Sequence, residues 1–180
     1  PWMTADQVRQ TLLTTADYMD DGSVNNGLYN ETYGWGYFNK DKAVNGVGMF
    51  TKEFGNFDAN VTDGYVGVFS NDIKGDAGLI KNGNGRLVLS GKNSYTGDTT
   101  VNSGVLKVSG DTSSSVFTVN GGGTLLGGNG TTGSVNNYGN VSTGEGTLAV
   151  KGDYTQSKDA SLTYKVGNEL TVSGKANIDG

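Results

Sequence analysis

Few residues in this chain have both the type and the spacing to do chemistry. Asp17, Asp20 and Asp21 gather hard oxygen ligands in one short stretch, the donor type that calcium takes. Carboxylates clustered in a polar loop are ordinarily just solvated, and no metal ligand is assigned. Gly128-Asn129-Gly130-Thr131-Thr132-Gly133 is spelled like a glycine-rich dinucleotide loop. That motif holds pyrophosphate only where a strand hands over to a helix N-terminus, and here Gly and Asn run on into further strand-like sequence. It reads as a corner between strands. Gly91-Lys92 lacks the upstream glycine spacing of a phosphate loop, and Asn93 stands where a Ser or Thr would hold magnesium. Asp98, Asp111, Glu145 and Asp153 could cut a sugar chain only as a facing pair, and they share no register. Asn30, Asn60, Asn129 and Asn140 each begin a glycosylation triplet, which arises by chance in a chain so rich in Asn and Thr. Tyr95 and Trp35 are large enough to stack on a ligand, but both are read as packing residues.

What is missing decides more. The chain has no His and no Cys, so it holds neither a Ser-His-Asp nor a Cys-His nucleophile system. The usual zinc and iron–sulfur ligand sets and disulfides are excluded on the same ground. Catalytic, cofactor-binding and metal residues are all assigned as none. The net charge of −5 and the scattering of 13 basic residues argue against a nucleic-acid partner, which needs clustered Lys and Arg. No apolar run approaches the roughly 18 residues of a membrane helix, and the first residues show no export-signal pattern.

The elements that carry these residues fall into two compositions. Thr4-Ala5-Asp6-Gln7 is a capping box, and Met3 and Val8 have the spacing of a hydrophobic staple. A helix is expected from there, with Val8, Leu12 and Ala16 forming an apolar stripe that Leu13 widens. Asp17 to Asn30 reads as a polar loop, and Asn39 as the cap of a short second helix through Lys40, Ala43 and Val44, ended by Asn45-Gly46. Such a segment is too small to enclose its own core. Residues 47–72 mix Phe50, Phe54, Phe57, Tyr65 and Phe69 with Gly, Asn and Asp, and read as a connection with short strands.

From residue 73 onward, short period-2 apolar runs alternate with Gly- and Asn-rich turns: Leu87/Leu89, Val105 to Val108, Val116 to Val119, Leu148/Val150, Leu162/Tyr164/Val166 and Leu170/Val172. Gly, Asn, Ser and Thr supply 84 of the 180 residues, which favours turns over helices. The spacing alone suits a sandwich, a barrel or a solenoid. A degenerate unit returns, however, in Gly83–Gly91, Gly122–Gly128 and Gly144–Gly152, each with an apolar centre between glycines. Small units that cannot bury their own apolar face are expected to stack, so a β-solenoid is favoured, with Gly and Asn at its corners and Asn side chains in ladders.

Two stretches resemble known families. Gly83-Asn84-Gly85-Arg86-Leu87-Val88-Leu89-Ser90-Gly91-Lys92-Asn93-Ser94-Tyr95-Thr96-Gly97-Asp98-Thr99-Thr100-Val101-Asn102-Ser103-Gly104-Val105-Leu106 is similar to the autotransporter-associated β-strand repeat, and Gly121 to Gly180 resembles the coils that succeed it. The resemblance implies a right-handed parallel β-helix outside a Gram-negative cell, tethered through an outer-membrane barrel encoded further downstream. Pro1 to Ala16, with Tyr33-Gly34-Trp35-Gly36-Tyr37-Phe38-Asn39-Lys40-Asp41-Lys42-Ala43-Val44, resembles the C-terminal end of a subtilisin-like serine protease domain. Its Asp, His and Gly-Thr-Ser-Met motifs would lie before Pro1, so no catalytic residue carries over.

These resemblances divide the chain into 1–46, the end of a subtilase domain; 47–72, a connection; and 73–180, the passenger β-helix with its repeat at about 83–106. The expected fold is therefore mainly β, a right-handed parallel β-helix preceded by a small α-helical and loop segment. The implied function is that of an internal fragment of a surface-exposed or secreted serine endopeptidase autotransporter, with a non-catalytic adhesin or structural passenger as the alternative. The parent protease domain, the barrel translocator, peptide substrates and host surface molecules are the implied partners. Without that protease partner, Val8, Leu12 and Leu13 should lie open as an apolar patch, and a protease-resistant core should begin at about Ile73.

Overall fold

A computed structural model describes residues 2–22 and 29–179, and the expected polar loop from Asp17 to Asn30 lies partly outside them. Two helices open the chain: α1, Ala5–Thr14, and α2, Lys40–Ala43. The Thr4 hydroxyl accepts the Gln7 amide while the Gln7 side chain accepts the Thr4 amide, so the capping box forms as read. Asn39 caps α2 by accepting the Lys42 amide, and Gly46 leaves that helix at a φ of 97°.

From Met49 to Ile178 the chain forms a parallel β-solenoid of about six turns. One face stacks the strand starts Phe57, Leu79, Thr99, Phe117, Val135, Tyr154 and Ala176, which recur 18 to 22 residues apart. A second face stacks Gly67, Leu87, Leu106, Leu125, Val141 and Leu162. A third runs through Thr112, Thr132, Val150 and Val172. Because side chains alternate across a strand and the pairs keep register apart from one slip between Val101 and Ser103, each coil lays its inward residues on those of the coil before. The core is thus a set of columns rather than a ball: Leu79, Leu87, Leu106, Phe117, Leu125, Val135 and Val141 are wholly buried.

The aromatic-rich stretch 47–72 takes part in this stacking. Met49–Phe50, Phe57–Asn60 and Val66–Phe69 pair in parallel with Lys74–Gly75, Leu79–Asn82 and Arg86–Leu89, making it the first coil. Val47, Phe50, Phe57 and Phe69 are buried in the common core, which accordingly begins before Ile73. Its period was hidden because Phe50 and Phe57 meet across the interior, ring centroids 5.5 Å apart, instead of alternating along one strand. At the other end only Leu162 of the run Leu162/Tyr164/Val166 lies in a strand, Ser161–Thr163. Tyr164 and Val166 are exposed, since a turn in which Asn168 bonds back to Lys165 carries them off the sheet.

Candidate functional site

The first coil needs a lid, and the N-terminal segment supplies it. Gly67 stands at the head of the column Leu87, Leu106, Leu125, and a Cβ there would lie 2.8 Å from Cζ2 of Trp2. The indole occupies the room that a side chain at this position would have filled, 6.0 Å from the Phe69 ring. Helix α1 then lies against the same coil, the Gln7 side-chain amide donating to the Asp58 carbonyl and the Thr14 hydroxyl accepting the Gly48 amide.

The orientation of α1 inverts the usual rule. Its buried residues are Gln7, Gln10 and Thr11, while Val8 and Leu12 are exposed. A helix normally turns its apolar stripe inward, because apolar surface gains most from leaving water. Here the polar face docks on the solenoid, and Val8 and Leu12, with Met3, Phe38, Ala43 and Val44, line an open groove of about 290 Å³. The expected apolar patch is present in this form, though Leu13 is half-buried and turns instead to the cleft beneath the helix.

That cleft, about 200 Å³, is lined by Leu13, Tyr18, Trp35, Lys42, Met49 and Lys74, among others. Trp35 stacks on Phe54 at 5.5 Å and meets the edge of Tyr29 at 6.2 Å, while the Arg9 guanidinium sits 5.1 Å over the far ring, Phe54. Trp35 therefore fastens the helical segment to the first coil.

The remaining candidates are dispersed. Asp17 pairs with Lys42 at 2.6 Å and accepts from Asn39, hydrogen bonds that hold its carboxyl below the usual range. Asp20 accepts the Gly22 amide, and among the described residues no set of three or more metal-ligating side chains converges. Residues 128–133 form a strand-to-strand corner, with Asn129 at a φ of 68° and the strand Gly130–Thr132 following it. The Lys92 amide bonds to Asp72 of the previous coil. Asp111 caps the Ser113 amide and Asp153 the Lys175 amide, whereas Glu145 reaches back to Lys107 and Arg86, whose hydrogen bonds lower its pKa. Asp98 contributes its backbone carbonyl to Leu79. Of the Asn positions that begin glycosylation triplets, Asn30 is buried and bonds to the Met19 carbonyl, and Asn140 accepts from Ser161 and Thr163. Tyr95 lies wholly inside, edge-on to Phe50 at 4.8 Å, its hydroxyl 2.7 Å from that of Thr99, and burial holds its phenol above the usual range.

Sequence reasoning missed Lys81. It is fully buried at an inward position between Ala59 and Val101, and burial pushes its amine down to about 8. The only available signal was a Lys at the third place of Leu79-Ile80-Lys81-Asn82, where the alternation calls for an apolar residue.

The fold and its stacked columns define the class: a parallel β-solenoid whose second and third coils carry a secretion-associated repeat, since residues 79–108 match the passenger-associated-transport-repeat family. The chain is similar along its whole length, at 36% identity, to the neisserial autotransporter lipoprotein NalP of Neisseria meningitidis serogroup B, of which it spans 17%. It is 33% identical over 93% of its length to an extracellular serine protease of Serratia marcescens, covering 19% of that protein. Over 48% of the chain it is 44% identical to the adhesin BmaC autotransporter of Brucella suis biovar 1, covering 2% of that protein. The chain thus spans a fifth or less of each of these relatives.

Proposed function

We propose that this chain is the junction of a secreted or cell-surface serine protease autotransporter of a Gram-negative bacterium, joining a subtilisin-like catalytic domain to its β-solenoid stalk. Residues 1–46 close the catalytic domain and residues from 47 onward begin the stalk. Peptide hydrolysis belongs to a Ser-His-Asp triad preceding Pro1, and an outer-membrane barrel following Gly180 carries the passenger out. The observation that carries this reading is the inverted helix. α1 gives its polar face to the solenoid and keeps Val8, Leu12 and the groove with Val44 and Phe38 for an apolar partner, which the catalytic domain supplies. The likeness to serine proteases over most of the chain supports it.

The test is to read the gene through both ends of this frame and assay the full passenger. Asp, His and Gly-Thr-Ser-Met motifs upstream, with peptide cleavage blocked by a serine-protease inhibitor in the full passenger and absent from this chain alone, are expected. A full passenger without a triad would sink the protease reading and leave an adhesive or structural passenger, which the match to an adhesin along 48% of the chain favours.

A further inference from the structure

A buried ammonium needs several acceptors, and an interior column of apolar residues offers none. Lys81 nevertheless stands in such a column, with Ala59 below and Val101 above. Its Nζ leaves the column sideways and donates to the carbonyls of Asn82 at 2.8 Å, Gly83 at 2.7 Å and Ser103 at 3.0 Å. The first two belong to the corner of its own coil and the third to the corner of the next. Among the described residues none of its acceptors is a carboxylate, so the seat is made of backbone alone.

The backbone is shaped to present those oxygens. Gly83 and Gly104 take φ values of 72° and 64°, open to glycine and costly for other residues. The pairing of the third coil with the fourth slips between Val101 and Ser103, a bulge of the kind that re-aims a residue, and Ser103 is the residue whose carbonyl receives Lys81. On the outer side of the same corner a ladder of side chains runs Asp58–Asn82–Asn102–Asn120 through four coils. Asn82 and Asn102 are thereby held from outside at the place that Lys81 grips from inside.

We propose that Lys81 is a tethered structural cation: its ammonium fills a carbonyl-lined seat between the second and third coils and fixes the register in which they stack. The reasoning is one of alternatives. A chain of degenerate repeats can slip by two residues with its inward and outward pattern unchanged. Any such slip moves Ser103 away from Lys81 and takes one of three acceptors from a buried ammonium, which disfavours the slipped state more strongly than an apolar side chain would. The device lies inside residues 79–108, the segment that matches the transport repeat, and it acts in the same way whatever precedes the chain.

Propylammonium is the fragment that Lys81→Ala removes, so chemical rescue separates a cation seat from plain packing. Lys81→Ala should melt about 5–10 °C below the unaltered chain, propylammonium chloride should restore at least about half of that, and equal sodium chloride or propanol should not. Lys81→Met keeps the volume and deletes the charge. It should melt within about 4 °C of the unaltered chain, yet lose at least about tenfold hydrogen-exchange protection at the Val105 amide, which bonds to the Gly85 carbonyl across the two coils. Rescue by propanol equal to that by propylammonium would overturn the proposal. So would full protection at Val105 in Lys81→Met, and that variant carries the test if Lys81→Ala does not fold.

Discussion

Thr132 is a buried residue whose hydroxyl has no hydrogen-bond partner among the described residues, and its own column shows the remedy. Thr112, one coil earlier, satisfies its hydroxyl with the side-chain amide of Asn93, whereas Val150, one coil later, has no hydroxyl to satisfy. An unpaired buried hydroxyl costs about 1–3 kcal/mol, and Val has the same branched shape as Thr. Thr132→Val should therefore raise the melting temperature by about 2–6 °C, read by calorimetry against Thr112→Val, which leaves one N–H of the Asn93 amide unpaired, its bond to the Gly91 carbonyl remaining, and should lower it. Single residues were legible here to the degree that they followed the alternation. Tyr95 was read as a packing residue, in the core or at its edge, and lies in the interior, and the corner at Asn129 was visible from its glycine neighbours. Lys81 was not, because its ammonium is satisfied by backbone carbonyls, one of them Ser103 of the next coil, that no local pattern records.

At the scale of elements, the legible features were those that a few neighbouring residues decide. The capping box of α1, the Asn39 cap of α2 and the strand Arg86–Leu89 all rest on contacts within one turn or one strand, or on simple alternation. The side on which α1 docks rests instead on distant groups: the carbonyl of Asp58, the amide of Gly48 and the vacancy above Gly67. Its amphipathic pattern pointed to a partner but could not say that the solenoid takes the polar face. Trp2 and Gly67 act as one element, a lid and its socket, and this can be separated by mutation. Trp2→Ala opens the head of the leucine column and should cost about 2–3 kcal/mol, a fall in melting temperature of about 4–10 °C. Gly67→Leu in that background extends the column Leu87, Leu106, Leu125 by one residue and should recover part of the loss, whereas Gly67→Leu alone displaces the indole and should destabilise. Equal effects of Gly67→Leu in both backgrounds, measured as a double-mutant cycle, would show that the two do not share the site.

At the scale of the whole molecule, stacking makes stability a matter of position along the axis. In the core each coil stacks only on its neighbours, the surface ion pairs of Glu145 with Lys107 and Arg86 being the longer reach, so a residue with coils on both sides loses contacts in two directions when truncated, and one at the end loses them in one. Leu125 is wholly buried between Leu106 and Val141, while Leu162, in the same column one coil beyond Val141, is only half-buried. The last strand loses cover altogether: Ala176–Ile178 is exposed throughout, with Ile178 at 56%. Leu125→Ala should accordingly cost about 3–4 kcal/mol and Leu162→Ala about 1 kcal/mol or less, although the substitution is the same and the residues share one column. Hydrogen exchange should order the amides in the same way, those of residues 170–178 opening first and those pairing Leu106 with Leu125 last, with free energies that climb inward coil by coil. A single globular core would instead show one common opening energy for its central strands and equal costs for equally buried leucines. Uniform protection from residue 87 to residue 178 would mean that the coils unfold as one unit, and the nearest-neighbour account of this solenoid would have to be given up.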